Sequence, residues 1–244
     1  MIKNLFLILT ISALLFSCSK KEETNNAEVS YTKAMKKLKD KSYSEAGDDF
    51  EKIDSDFPFS KWAIKGQTMA VYARYKDENY VKLLATIDDF LRLNPNSEYV
   101  PYMLYMKGLS YYNQIPEITR AQDNTQQASF IFRELVARFP ATDYAPDAKE
   151  KLVFIDEHMA GAKMSVGRYQ IKTLNYVGAL ENFRDVTVRY QNTNQAPEAY
   201  LRLVEIYYKI GLKEEARKAF YYLKAKYPDN DWTKLAEKLY AEFD

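Results

Sequence analysis

Five times along this chain a small or aliphatic residue is followed, four and seven positions later, by large apolar side chains. The sets are Ala46, Phe50 and Ile53; Leu83, Ile87 and Phe90; Ala128, Phe132 and Leu135; Ala179, Phe183 and Val186; and Ala216, Phe220 and Leu223. Tyr43, Tyr80 and Tyr176 stand three residues ahead of three of them. Offsets of four and seven put three side chains on one face of an α-helix. Twelve residues after the first anchor comes Pro58, Pro95, Pro140 or Pro228; the fourth set has Gln191 there instead. Proline disfavours the helical conformation in the residue before it, so each helix is predicted to stop just short of that position.

The helix before each set is legible too. Leu104, Gly108 and Tyr111 precede the third set, and Val204, Tyr207 and Tyr208 precede the fifth, with Gly211 breaking the chain before Lys213. A small residue, an aromatic, Ala, Phe and Pro at fixed intervals resemble the tetratricopeptide repeat (TPR). The first anchors are spaced by 37, 45, 51 and 37 residues, against about 34 in a standard repeat. The excess in the third unit falls on a polar loop, 113–126, and that before the fourth on a longer first helix, Pro146 to about Lys172. Asp231 to Phe243 is predicted to cap the stack with Leu235, Leu239 and Phe243 on one face. The expected fold is all-α: a TPR-like α-solenoid of five helix pairs plus a C-terminal capping helix.

The N-terminus is of another kind. Lys3 precedes an apolar run from Leu5 to Phe16, and Ser17 precedes Cys18, the only cysteine. That run is too short to span a bilayer comfortably, which takes about 20 apolar residues, and has the form of a secretory signal. Leu15 and Ser17 ahead of Cys18 resemble the lipobox of bacterial lipoproteins. That resemblance implies a signal peptide over 1–17 and a Cys18 carrying N-acyl and S-diacylglycerol (palmitate-type) lipid. Ser19 after the cysteine permits outer-membrane sorting. The alternative is an ordinary signal peptide with a chance cysteine. Residues 18–28, polar and free of aromatics, form a lipidated flexible tether. The TPR domain covers 29–244, its N-terminal repeats 29–145 and its C-terminal repeats 146–244.

Composition narrows the chemistry. Lys plus Arg number 35 and Asp plus Glu 34, which provides no basic field for nucleic acid. One cysteine supports neither a disulfide framework nor a thiolate metal site. Only 7 Gly and 8 Pro favour helix, and 21 Tyr and 13 Phe supply rings for interfaces or recognition. The single histidine, His158, lacks a second histidine or a cysteine nearby, and no nucleophile motif or phosphate-binding loop accompanies it. It reads as a structural or surface residue. Acidic pairs such as Asp48-Asp49 and Asp88-Asp89 read as solvated helix faces. No catalytic residue, metal or other cofactor is expected, and the chain is not read as an enzyme.

Binding is the remaining class. The inner face of a TPR stack is lined by the first helix of each pair. In the second pair that face holds Lys65, Thr68, Tyr72 and Tyr75, and in the third Tyr102, Tyr105, Leu109 and Tyr112. Any one ring is as well explained by packing between helices. The cluster Tyr72, Tyr75, Tyr102, Tyr105 and Tyr112 favours a groove for an extended peptide. In the fourth pair Arg168, Lys172, Arg184 and Arg189 suit a partner's carboxylates, with Arg184 and Arg189 taken as the docking residues.

Several stretches resemble the BamD (ComL) family, outer-membrane lipoprotein subunits of the bacterial β-barrel assembly machine. They are Phe57-Pro58-Phe59-Ser60-Lys61-Trp62-Ala63, Asp88-Asp89-Phe90-Leu91-Arg92-Leu93-Asn94-Pro95, Lys107-Gly108-Leu109-Ser110-Tyr111-Tyr112 and Phe132-Arg133-Glu134-Leu135-Val136. The fourth repeat departs, with Tyr190-Gln191-Asn192-Thr193 in place of Tyr-Pro-x-Thr. The resemblance implies a scaffold at the periplasmic face of the outer membrane, anchored by its lipid. Its N-terminal repeats would recognise unfolded outer-membrane proteins. Its C-terminal repeats would dock on the barrel subunit BamA, with accessory lipoproteins as further partners. A TPR lipoprotein scaffold of the cell-wall or division apparatus is the alternative.

Overall fold

A computed structural model describes residues 26–241. The signal peptide, Cys18 and the tether up to residue 25 lie outside the described residues, as does Phe243. The described residues form eleven helices and no strand. They are α1 (26–39), α2 (Tyr43–Asp56), α3 (Lys61–Lys76), α4 (Tyr80–Leu93), α5 (Val100–Tyr112) and α6 (Asp123–Arg138), followed by α7 (Tyr144–Lys172), α8 (Tyr176–Arg189), α9 (Ala196–Lys209), α10 (Lys213–Lys226) and α11 (Asp231–Ala241). This is an all-α, TPR-like series of five pairs and a final helix. Residues 26–28, expected in the tether, already belong to α1, where Ala27 is fully buried.

The chain parts into two compact units, one up to Ser110 and one from Tyr111 onward. The boundary between N-terminal and C-terminal repeats read from the sequence, near 145/146, is a division of repeats within one domain. The last turn of α5 goes with the second unit because Tyr112 packs edge-on against Phe132 and Phe154, at 6.3 and 5.5 Å between ring centroids. In the first unit α3 packs on both α2 and α4. In the second, α6 through α10 pack each on the next, and α11 covers α9 and α10.

The anchor pattern explains this packing. All three anchors of every set are buried, none more than 5% exposed. Burial stabilises by about 1.5–3 kcal/mol for each Phe, Leu, Ile or Val anchor. Glycines admit the closest approaches: a Cβ on Gly66 would come within 2.9 Å of the Phe50 carbonyl oxygen, and one on Gly167 within 2.7 Å of the Phe183 ring.

Two corners recur. After α1, α3, α7 and α9 the chain turns through one left-handed residue, at Lys41, Glu78, Leu174 and Gly211. The next residue's N–H then reaches back five positions, as in Ser42 to Lys37 at 2.9 Å and Leu212 to Tyr207 at 2.8 Å. This is the Schellman closure, which satisfies carbonyls at a helix C-terminus. The other corner follows each second helix. Phe57, Asn94, Phe139, Tyr190 and Tyr227 leave the helix at φ between −138° and −122°. Tyr190 does so without a proline after it. There the Gln191 carbonyl accepts a hydrogen bond from Tyr227 Oη at 2.6 Å, and its side-chain oxygen accepts one from Lys226. The fourth repeat therefore ends in register despite its divergent sequence.

Two expectations are corrected. The loop between α5 and α6 spans 113–122, because its predicted last four residues begin α6. It is held by Gln122 Nε2, which donates to the Glu117 and Arg120 carbonyls, both at 2.9 Å. In α11 the packing face is not that of Leu235, which is 45% exposed; Thr233 and Ala236 are the buried residues, with Trp232, Leu239 and Tyr240 beside them. At 100° per residue the packed residues run from Leu239 round to Thr233, and Leu235 lies beyond the edge of that arc.

Candidate binding surfaces

In the first unit the predicted groove residues sit on the first helices of two pairs. Tyr72 of α3 is 39% exposed, and Tyr75, one turn on, is half-buried with its ring 6.5 Å from Tyr80. Lys65, Thr68, Tyr72 and Tyr75 recur every three or four residues and all retain exposure, so they form one accessible stripe of α3. Tyr102 and Tyr105 are half-buried on α5, while Leu109 is buried. Tyr112, at the end of α5, packs on Phe132 and Phe154.

A second aromatic group of this unit lies at the start of α3. Trp62, in the first turn of α3, has Tyr31 of α1 at 4.8 Å between centroids, and Tyr31 also meets Phe50 at 5.4 Å. Burial, helped by Tyr99, raises the Tyr31 hydroxyl above its ordinary pKa. Lys61 and Lys65 place their Nζ atoms 5.3 and 5.0 Å from the Trp62 ring centroid, within cation–π range.

Beneath α2 lies the most buried charge among the described residues. The Arg74 side chain is wholly buried. Nε and Nη2 donate to the two Glu51 oxygens at 3.1 and 2.8 Å, Nη2 to Asp48 at 2.5 Å, and Nη1 to the Ser44 carbonyl at 3.0 Å. Lys82 of α4 also donates to Asp48, at 3.0 Å, so the network ties three helices together. Gly47 makes room for it: a Cβ there would fall 2.8 Å from the guanidinium carbon. The hydrogen bond from Arg74, aided by Lys82, holds Asp48 below the usual carboxylate pKa. Asp48 is thus a ligand of a buried cation, not only part of a solvated face.

The second unit carries the predicted docking arginines. Arg184 is exposed and lies over the Tyr207 ring at 5.8 Å. Arg189 is paired with Asp185 through two hydrogen bonds, at 2.7 and 2.5 Å, and Lys163 reaches the same carboxylate at 2.9 Å. The Arg189 bond is the main cause of a lowered Asp185 pKa. Arg189 lines an open cleft of about 490 Å³ with Phe130, Arg133, Met159, Lys163 and Tyr190. Arg168 is paired with Glu198 at 3.1 Å.

His158 stacks on Phe154 at 5.8 Å, and its Nε2 is buried with no hydrogen-bond partner among the described residues. Among those residues no three His, Cys, Asp or Glu side chains gather as a metal site, and no helix is long and apolar enough to cross a membrane.

The family model described as an outer membrane lipoprotein, YfiO, matches residues 23–238. Three relatives are each named outer membrane protein assembly factor BamD. That of Caulobacter vibrioides is 33% identical over 86% of this chain and 69% of its own length. That of Rickettsia prowazekii is 31% identical over 97% and 96%. That of Neisseria meningitidis serogroup B is 34% identical over 75% and 72%.

Proposed function

Because the chain belongs to the outer membrane lipoprotein family YfiO, we propose that it acts in the assembly of outer membrane proteins, the role its relatives' names give them. Those names are of an assembly factor, not of an enzyme, and the chain works by binding. Lipid on Cys18 holds it at the periplasmic face of the outer membrane. The first unit receives unfolded barrel proteins on the tyrosines of α3 and α5. The second docks on the barrel subunit, BamA, through a surface that includes Arg184 and Arg189.

The observation that carries the assembly role is the family match, which reaches from before α1 into α11. Client binding is supported by the accessible stripe of α3, because a tyrosine that keeps one side in water offers both an apolar face and a hydroxyl to an extended strand. In the triple variant Tyr72→Ala, Tyr75→Ala and Tyr105→Ala, crosslinking to unfolded barrel-protein peptides is expected to fall while helicity by circular dichroism persists. Undiminished crosslinking in a folded variant overturns the assignment.

A further inference from the structure

One corner of the first unit carries a ring that nothing covers. Phe59 is 100% exposed, whereas Phe57 packs on the core between α1 and α2. The Ser60 N–H donates to the Phe57 carbonyl at 3.0 Å and closes a turn whose second residue is Pro58, so the backbone that carries Phe59 is fixed. The equivalent positions of the other four such corners hold Asn96, Ala141, Asn192 and Asp229. Phe59 has apolar neighbours on its edge. Asp54 and Leu93 line one cleft, which sets the end of α4 beside the end of α2, and Leu93 is 60% exposed. α1 runs antiparallel to α2, since Ser30 shares a cleft with Asp56 while Lys37 pairs with Glu45. The N-terminus of α1, with Val29 half exposed, therefore falls on the same edge. The turns here, 57–60 and 94–97, contain no charged residue. Those of the opposite edge are Lys39-Asp40-Lys41 and Lys76-Asp77-Glu78, all exposed. Val81 is exposed there too, next to Lys82.

Residue 26 begins α1 eight positions after Cys18, and eight residues reach at most about 29 Å. A lipid on Cys18 brings a bilayer surface within that distance of the Phe59 edge. The charges around the edge are of both signs, Glu28, Asp54 and Asp56 against Lys33, Lys52 and Lys61, so its attraction to an anionic surface is weak. Attachment then falls to the apolar side chains, and a projecting aromatic ring suits the boundary of headgroups and acyl chains. We infer that the 57–60 corner rests on the phospholipid bilayer that holds the anchor, with Phe59 inserted and Leu93 and Val29 beside it. This rests on the lipid anchor proposed above and gives the first unit an orientation, its charged turns facing away from the bilayer.

The test uses the mature lipidated chain in vesicles of phosphatidylethanolamine and phosphatidylglycerol, a fraction of the lipid carrying a headgroup nitroxide. A fluorophore is attached at Ser55→Cys or at Ser42→Cys; the Cys18 thiol, occupied by its lipid, does not label. The two positions lie at opposite ends of α2, about 20 Å apart. Quenching by the nitroxide is expected to be severalfold stronger at 55 than at 42, in low and high salt alike. Phe59→Asp should remove the difference and Phe59→Leu should keep most of it. Neither should move the thermal midpoint, because a fully exposed ring packs on nothing. Equal quenching at 55 and 42, with the lipid on Cys18 verified by mass spectrometry, overturns the inference and leaves the anchor intact. A chain that carries no lipid and leaves the vesicles overturns both. A difference that survives Phe59→Asp, or that high salt removes, overturns insertion of the ring. Shielding of residue 55 that grows with the density of protein on the vesicle makes the corner a contact between copies and also overturns it.

Discussion

Arg74 is the residue on which the first unit depends most. Removing one partner of a buried ion pair leaves the others unsatisfied, a loss usually of several kcal/mol. Asp48 and Glu51 keep partial access to water, so Arg74→Ala is expected to lower the unfolding free energy by about 2–4 kcal/mol in urea titrations. The network also sets a pH dependence. The folded state depresses the pKa of Asp48. Its contribution is therefore present above the ordinary carboxylate pKa and is lost as pH falls through the depressed value. Stability should decline below about pH 4, and Asp48→Asn should flatten that part of the profile; an identical profile would refute the linkage. None of this was legible in the sequence. An isolated arginine between Ala73 and Tyr75 has the look of a solvated position, and only Gly47, beside Asp48, marks the space that the guanidinium fills.

At the scale of elements the sequence was far more informative. The anchors bury as spaced because a helix face repeats with a fixed period, and each second helix ends two residues before the Pro or Gln position. The cap failed at Leu235 because apolarity in a short helix does not fix which row meets its neighbours. The left-handed corner was visible only at Gly211, since Lys41, Glu78 and Leu174 are held there by the Schellman closure against their own preference. Gly211→Ala isolates that preference. A Cβ there would meet nothing within 4 Å, yet φ is +83°. The substitution should cost about 1 kcal/mol purely through backbone strain, read as a lowered midpoint in thermal unfolding. An unchanged midpoint would remove the conformational explanation.

For the whole molecule, function was legible at the level of class and less so at the level of site. The tyrosine stripe on α3 could be read by counting turns. The packing of Trp62 on Tyr31 could not, because it joins α1 to α3 across some thirty residues and only three-dimensional neighbours reveal it. The anchor is argued from Cys18 and its flanking residues. A short polar tether would keep the binding surfaces near the membrane and raise their effective concentration toward partners there. Cys18→Ser should shift the chain from the membrane fraction to the soluble periplasmic fraction; retention in the outer membrane would sink the lipid assignment.

The Gln191 corner couples the end of the fourth repeat to the end of the fifth. At Pro58, Pro95, Pro140 and Pro228 the break after a helix is written into the covalent chain and holds from the moment of synthesis. At Gln191 the same break is held by the carbonyl's bond with Tyr227 and the side chain's bond with Lys226, both at the end of α10. The corner closes locally through Thr193, whose N–H and hydroxyl both donate to the Tyr190 carbonyl, and is tied in addition to residues some thirty-five positions downstream. Fraying at the end of α10 is therefore felt at the end of α8.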